Sequence, residues 1–273
     1  MRAHRCAVGR QPSRQFWCFS CARYNPETVS MISVRWQLPA DPLRLSAIAT
    51  QGTAMIAVVA LGTLVRDSGL PVSAWYPLKA AAVFAGIMGI ALLRLHGHHP
   101  HGSFGPANQV TTLRSALVAL MAGLVGEAAA SSAAGYAVIA ALVAIALDGV
   151  DGWLARRTNM TTRFGARFDM EIDALLIQVL ALLAWQYGKA GVWVIASGLL
   201  RYAFVAAGWR WPRLGRPLFA SLRRQAICVV QIAGLILAVA PAVAPPVSNL
   251  VAAVALGALC YSFAVDTAWL WRR

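Results

Sequence analysis

The chain has 273 residues, of which 59% are apolar and only 12% charged, and its mean hydropathy is +0.62. Soluble domains carry about twice that charged fraction, so the composition points to a polytopic membrane protein and excludes disorder, a coiled coil and, with an odd five Cys, a secreted disulfide scaffold. The net charge of +14 arises from 24 Lys and Arg against 10 Asp and Glu, and these basic residues fall between the apolar runs, which assigns them to topology and argues against a nucleic-acid partner.

Residues 1–44 form a basic segment without the apolar core of a cleaved signal, and are expected to be cytoplasmic. Met31 is an alternative start, because residues 1–30 are basic and lack periodicity. Cys18 and Cys21 make a lone C-x-x-C with no second pair, a weak metal signal. Two additional transmembrane helices are predicted over 45–95: an uncharged run between Arg44 and Arg66, and a run from Val72 to Leu93 broken only by Lys79. A His-rich cytoplasmic loop, 96–107, follows, with His96, His98, His99 and His101.

Six further spans are predicted over 108–273. The first runs from Asn108 to Glu127 and the second from Ala128 to Leu147, with a tight turn at Ser131 and Ser132. The third covers Ala166 to Gly188 and the fourth Ala190 to Gly208, on either side of a turn at Gly188 and Lys189. From Gln225 to Val265 there is no charge, and Pro241, Pro245 and Pro246 divide this stretch into the last two. The expected fold is thus all-α, a polytopic transmembrane bundle of about eight spans.

Alternate connections are basic. Arg94, the group Arg156, Arg157 and Arg163, the group Arg210, Arg213, Arg216, Arg223 and Arg224, and the tail Arg272 and Arg273 share a side with the N-terminal segment. Arg66, Lys79 and Lys189 are all that lies near the other. Short cytoplasmic loops retain positive charge, so an inner-membrane protein with both termini cytoplasmic is expected.

Five of the ten acidic residues lie between positions 148 and 173. Asp148 and Asp151 are three apart, and Asp169 and Asp173 four apart, so on helices each pair shares a face. Two facing helices would present four carboxylates to one point. Such a cluster is costly unless a cation or an aqueous cavity compensates it, and hard oxygen ligands suit Mg²⁺ or Mn²⁺, two of which four carboxylates can hold around a diphosphate. The alternative is ion pairing to Arg156, Arg157, Arg163 and Arg167. Glu171 is turned about 200° from both Asp169 and Asp173, and Arg167 is its expected partner.

The stretch Asp148, Gly149, Val150, Asp151, Gly152, Trp153, Leu154, Ala155, Arg156, eight residues, Gly165, three residues, Asp169, three residues, Asp173 resembles the signature of the CDP-alcohol phosphatidyltransferases at all eight defining positions. Asn108, Thr111 and Arg114 resemble the Asn-x-x-Thr start of that family's first helix. The resemblance covers roughly residues 104–271, and the first two spans lie outside it. It implies a six-helix core that moves a phosphatidyl or other phosphoalcohol group from a CDP-linked lipid to a hydroxyl acceptor and releases CMP, in a homodimer whose active site is cytoplasmic. Asp148, Asp151 and Asp169, with Asp173 beside them, would hold two Mg²⁺ or Mn²⁺ ions, and Asp173 would be the catalytic base. Asn108, Thr111, Gly152, Ala155, Arg156 and Gly165 would accommodate the CDP group.

Enzymes of this kind that accept glycerol phosphate tend to have Pro after the third aspartate and Lys after the fourth. This chain has Met170 and Ala174, which leaves the acceptor open. Arg201, about 18 Å into its span from the outer turn, is expected to meet an anionic acceptor, with Arg216, Arg223 and Arg224 as a basic rim. Pairing of Arg201 with Asp266 is the structural alternative. The competing function is a carboxylate-lined divalent-cation transporter or binding protein without transferase chemistry; that reading favours charges near the midplane on broken helices, whereas these lie at the cytoplasmic end of a span.

Overall fold

The computed structural model describes residues 41–95, 104–158, 162–214, 216, 218 and 221–272. Among these the chain forms eight α-helices: α1 (Asp41–Asp67), α2 (Tyr76–Leu95), α3 (Pro106–Gly123), α4 (Ser131–Arg157), α5 (Arg163–Gln186), α6 (Ala196–Arg210), α7 (Leu222–Val239) and α8 (Val247–Trp271). A 3-10 turn, Val192–Ile195, leads into α6. The all-helical, multi-pass architecture and its eight elements agree with the hydropathy pattern. The His-rich run and the Cys18, Cys21 pair lie outside the described residues.

Among the described residues, six helical segments are long and apolar enough to cross a membrane: Leu45–Asp67, Tyr76–Leu93, Ser131–Leu154, Val192–Arg210, Leu222–Val239 and Val247–Trp271. The two helices outside this set are α3, with Asn108, Gln109, Thr111, Thr112 and Arg114, and α5, with Asp169, Glu171 and Asp173. Both sit at the centre of the bundle. Helix α3 packs against α1, α2, α4 and α5, while α5 packs against α3, α6 and α7. Polar side chains are tolerated on such helices because protein, rather than lipid, surrounds them.

Two boundaries differ from expectation. The turn between α3 and α4 lies before Ser131, around Gly126, whose φ of 80° needs a residue without Cβ, and Ser131 itself opens α4. Helix α4 continues ten residues past Leu147, to Arg157, because the carboxylates that looked like its end are compensated inside the protein. Local chemistry sets two other starts: Pro106 occupies the first turn of α3, and the Thr162 hydroxyl caps α5 by accepting from the Gly165 N–H at 2.9 Å.

Up-and-down connectivity brings the starts of α1, α3, α5 and α7 to one end of the bundle, with Asp41 and Arg272 there as well. There the Phe104 N–H donates to Ser46 Oγ at 3.3 Å, and Phe164 lies 6.1 Å from Phe104 and 5.6 Å from Phe168, centroid to centroid. At the opposite end short connections are tied to one another. The Gln186 amide accepts from Gly126 N–H at 2.6 Å and donates to the Leu124 and Glu127 carbonyls at 3.1 and 3.0 Å. The Lys189 ammonium donates to the Ala240 and Val243 carbonyls at 3.2 and 2.6 Å. Glu127 pairs with Lys79 and accepts from the Ser73 N–H at 2.7 Å and its O–H at 2.9 Å, which fastens the α1–α2 hairpin to the rest.

Candidate active site

Helix periodicity turns Asp148 and Asp151 of α4 towards Asp169 and Asp173 of α5, and α3 lies between them. Asp148, Asp169 and Asp173 each offer an oxygen within 4.8 Å of the others. The side chains of Asp148, Asp151 and Asp169 are 4%, 7% and 8% exposed, whereas that of Asp173 is 18% exposed, so Asp173 is the most open of the four.

The guanidinium of Arg114 sits at the point where these carboxylates meet and is 1% exposed. Its Nη1 lies 2.8 Å from Asp148 Oδ1, donates to Asp151 Oδ2 at 2.9 Å and donates to Asp169 Oδ1. Its Nη2 donates to Asp173 Oδ1 at 2.5 Å. The Thr111 hydroxyl, one turn earlier on the same face, lies 3.1 Å from Asp151 Oδ2 and 3.1 Å from the Ala107 carbonyl. Asn108 donates to the Phe104 carbonyl at 2.5 Å, and its Oδ1 faces Gly165, where a Cβ would come within 2.7 Å. That close approach lets the start of α5 lie against α3.

Sequence reasoning placed Arg114 only as a neighbour of Thr111 in the resemblance. A lone charge inside an otherwise apolar run was the signal available, because such a group faces a partner or cavity. The side chains of Ala155 and Arg156 lie outside the described residues. Gly152 is on α4 one residue past Asp151, and Arg157 lies over Trp153, 4.9 Å from the ring centroid.

The four arginines expected around the acceptor are not brought together. Arg201 is paired at 2.6 Å with Glu171 and lies 3.0 Å from the Met170 sulfur. This corrects the expected pairing of Glu171 with Arg167 and excludes Asp266, the structural alternative for Arg201: α6 packs on the face of α5 turned away from Asp169 and Asp173, so Glu171 meets Arg201 there. Asp266 instead takes Arg223 at 2.5 Å and Arg224 at 3.3 Å. Arg223 also donates to the Ser262 carbonyl and hydroxyl at 2.8 and 2.7 Å, joining α7 to α8. Arg216 is exposed in the connection before α7.

The donor set is chemically suited to a divalent cation: four carboxylates from two helices, three of them with oxygens close enough to share one ion, and Asp148, Asp151 and Asp169 buried. A family model described as CDP-alcohol phosphatidyltransferase matches residues 104–264, more than half of the chain, from two residues before α3 into α8. Comparison with curated proteins and with solved structures gave no match.

Proposed function

Because the chain belongs to the CDP-alcohol phosphatidyltransferase family, we propose that it transfers a phosphatidyl group from a CDP-linked lipid such as CDP-diacylglycerol to a hydroxyl acceptor, releasing CMP in phospholipid synthesis. The observation that carries this reading is the convergence of Asp148, Asp151, Asp169 and Asp173 on one buried point. These four are the residues that would hold Mg²⁺ or Mn²⁺. When bound, such ions supply electrostatic stabilisation to the diphosphate and to the charge that grows on departing CMP.

The chain's own groups do the rest. Asp173, the most open carboxylate, is placed to accept the proton of the acceptor hydroxyl. As that oxygen bonds to the lipid-linked phosphorus, the bond from phosphorus to the CMP oxygen breaks, and CMP leaves with the electron pair. Gly152, one residue past Asp151, adds no side chain beside the aspartates and is assigned to close approach of the nucleotide, while the Asn108–Gly165 contact seats the start of α5 against α3. Thr111 orients Asp151. Arg156, at the end of α4, is assigned to the donor phosphates.

For the acceptor, Arg223 and Arg224 on α7, with Arg216 before it, supply positive charge at the end of the bundle where the aspartates lie, and α7 packs against α5. The guanidinium of Arg201 is committed to Glu171, so Arg201 is assigned to the α5–α6 packing. The same end collects Arg213, Arg216 and Arg272, while the opposite connections carry few basic residues, which supports a cytoplasmic site. The test is direct: protein in lipid nanodiscs with CDP-diacylglycerol, Mg²⁺ and a panel of hydroxyl acceptors should release CMP with at least one of them. Mg²⁺ flux across vesicles without CMP release from any acceptor would favour a transporter instead.

A further inference from the structure

We infer that Arg114 is an exchangeable counter-cation: it holds the four aspartates in place while no metal is bound, and surrenders carboxylates to divalent ions as they enter. The inference rests on the reading of Asp148, Asp151, Asp169 and Asp173 as metal ligands, and adds a positioning residue that acts through them.

The geometry is over-subscribed in a particular way. The Arg114 Nη1 carries two hydrogens, and both are used, by Asp151 and Asp169. Asp148 approaches the same nitrogen at 2.8 Å with no hydrogen left for it. Meanwhile the Arg114 Nε is buried without a hydrogen-bond partner. A guanidinium placed for its own stability would spread its five donors over separate acceptors in a planar fork. This one instead presents one corner to three carboxylates and leaves another donor idle, the arrangement expected where side chains converge on a point charge.

Charge leads to the same conclusion. One guanidinium facing four carboxylates leaves three formal negative charges uncompensated, so the site attracts further cations. Without Arg114, metal-free carboxylates at this depth would repel one another and push α4 and α5 apart. With it, the ligands are already gathered when an ion arrives. The cost is competition: each ion must take oxygens that Arg114 holds. The limb on Asp173 is separate from the crowded corner, so Nη2 can keep that carboxylate oriented after Nη1 has released the other three.

A solely structural arginine and an exchangeable one differ in their effect on metal affinity. The probe is Mn²⁺ alone, titrated into full-length protein in nanodiscs and followed by loss of the free-ion EPR signal, with thermal unfolding measured with and without Mn²⁺. Arg114→Gln should unfold at a lower temperature than wild type without metal, bind Mn²⁺ at least fivefold more tightly, and recover most of the lost stability when Mn²⁺ is saturating. Arg114→Lys keeps the charge needed for folding, but its single nitrogen cannot serve Asp173 together with the other three, so it should bind Mn²⁺ at least twofold more tightly than wild type. Unchanged or weaker Mn²⁺ binding by Arg114→Lys, or by a folded Arg114→Gln, overturns the inference. If wild type does not bind Mn²⁺ but Arg114→Gln does, Arg114 is a permanent occupant and exchange is overturned. If neither binds, the metal reading itself fails.

Discussion

Gly165 on α5 stands so close to Asn108 on α3 that a Cβ at position 165 would lie 2.7 Å from the Asn108 Oδ1 and 3.1 Å from the Thr162 Oγ1 that caps the helix. Asn108 has little freedom to retreat, because its amide donates to the Phe104 carbonyl and its side chain is buried. Gly165→Ala should therefore displace the first turn of α5 and carry Asp169, one turn along, out of line with Arg114. Overpacking of this kind costs about 1–3 kcal/mol. CMP release is expected to fall at least tenfold, with unfolding temperature lowered but insertion retained. Full activity in the Ala variant would show that this contact does not set the site.

Asparagine in place of Asp148, Asp151 or Asp169 should lower CMP release by roughly 10³-fold, the scale on which loss of a charge-stabilising group acts. Each variant should also lose the stabilisation that Mn²⁺ gives the wild type. The proteins should stay folded without metal, since an amide then replaces one of four mutually repelling carboxylates around a single guanidinium. Near-normal turnover in any of the three would remove that residue from the metal-ligand set.

The helices were legible because apolar runs long enough to span a membrane are separated by Arg clusters and prolines, and the aspartates because spacings of three and four map onto one helix face. Pair identities were less accessible. Helix period alone turns Glu171 away from Asp169 and Asp173, but which cation it meets depends on how α6 is rotated against α5, and α6 has no polar stripe strong enough to set that rotation. Arg114 lies in a helix whose charge signals burial without indicating the direction it faces. The length of α4 is hidden for a related reason: Asp148 reads as a span boundary unless its compensating cation, Arg114, 34 residues earlier on a different helix, is already known.

At the end of the bundle opposite the aspartates, the Glu127 side chain is 6% exposed and held by Lys79 and by two donors of Ser73. Burial pushes its carboxyl pKa up, but these partners prevail and hold it below the ordinary value of 4.5. A lowered folded-state value stabilises the protein above the ordinary value, and that contribution is lost as pH falls through the lower one. Glu127→Gln, neutral throughout, should be less stable than wild type by about 1–2 kcal/mol at pH 7. The difference should hold down to about pH 5 and close below the ordinary value of 4.5, read by thermal unfolding in detergent. A gap that persists unchanged well below that value would mean that the Glu127 charge contributes nothing.

Arg223 and Arg201 offer opposite expectations for the acceptor. Arg223 lies in the first turn of α7 at the aspartate end, anchored by Asp266 and Ser262, and its side chain is still 24% exposed. Those anchors fix the guanidinium plane, so an arriving phosphate would meet a pre-oriented fork at little entropic cost. Arg201 gives its Nη2 to Glu171 on the other face of α5, away from Asp169 and Asp173, and its Nε is buried without a partner. For an acceptor carrying a phosphate, Arg223→Gln should raise the acceptor KM at least tenfold while leaving the KM for CDP-diacylglycerol within twofold. Arg201→Ala should leave both KM values near wild type and lower stability by up to about 1 kcal/mol, as expected for a half-exposed ion pair. Arg223→Lys separates charge from shape: it keeps the positive charge, so a partial rise in KM identifies bidentate recognition, and no rise identifies attraction alone. If Arg201→Ala raises the acceptor KM and Arg223→Gln does not, the acceptor approaches along α6, and the Glu171 pair must open to admit it.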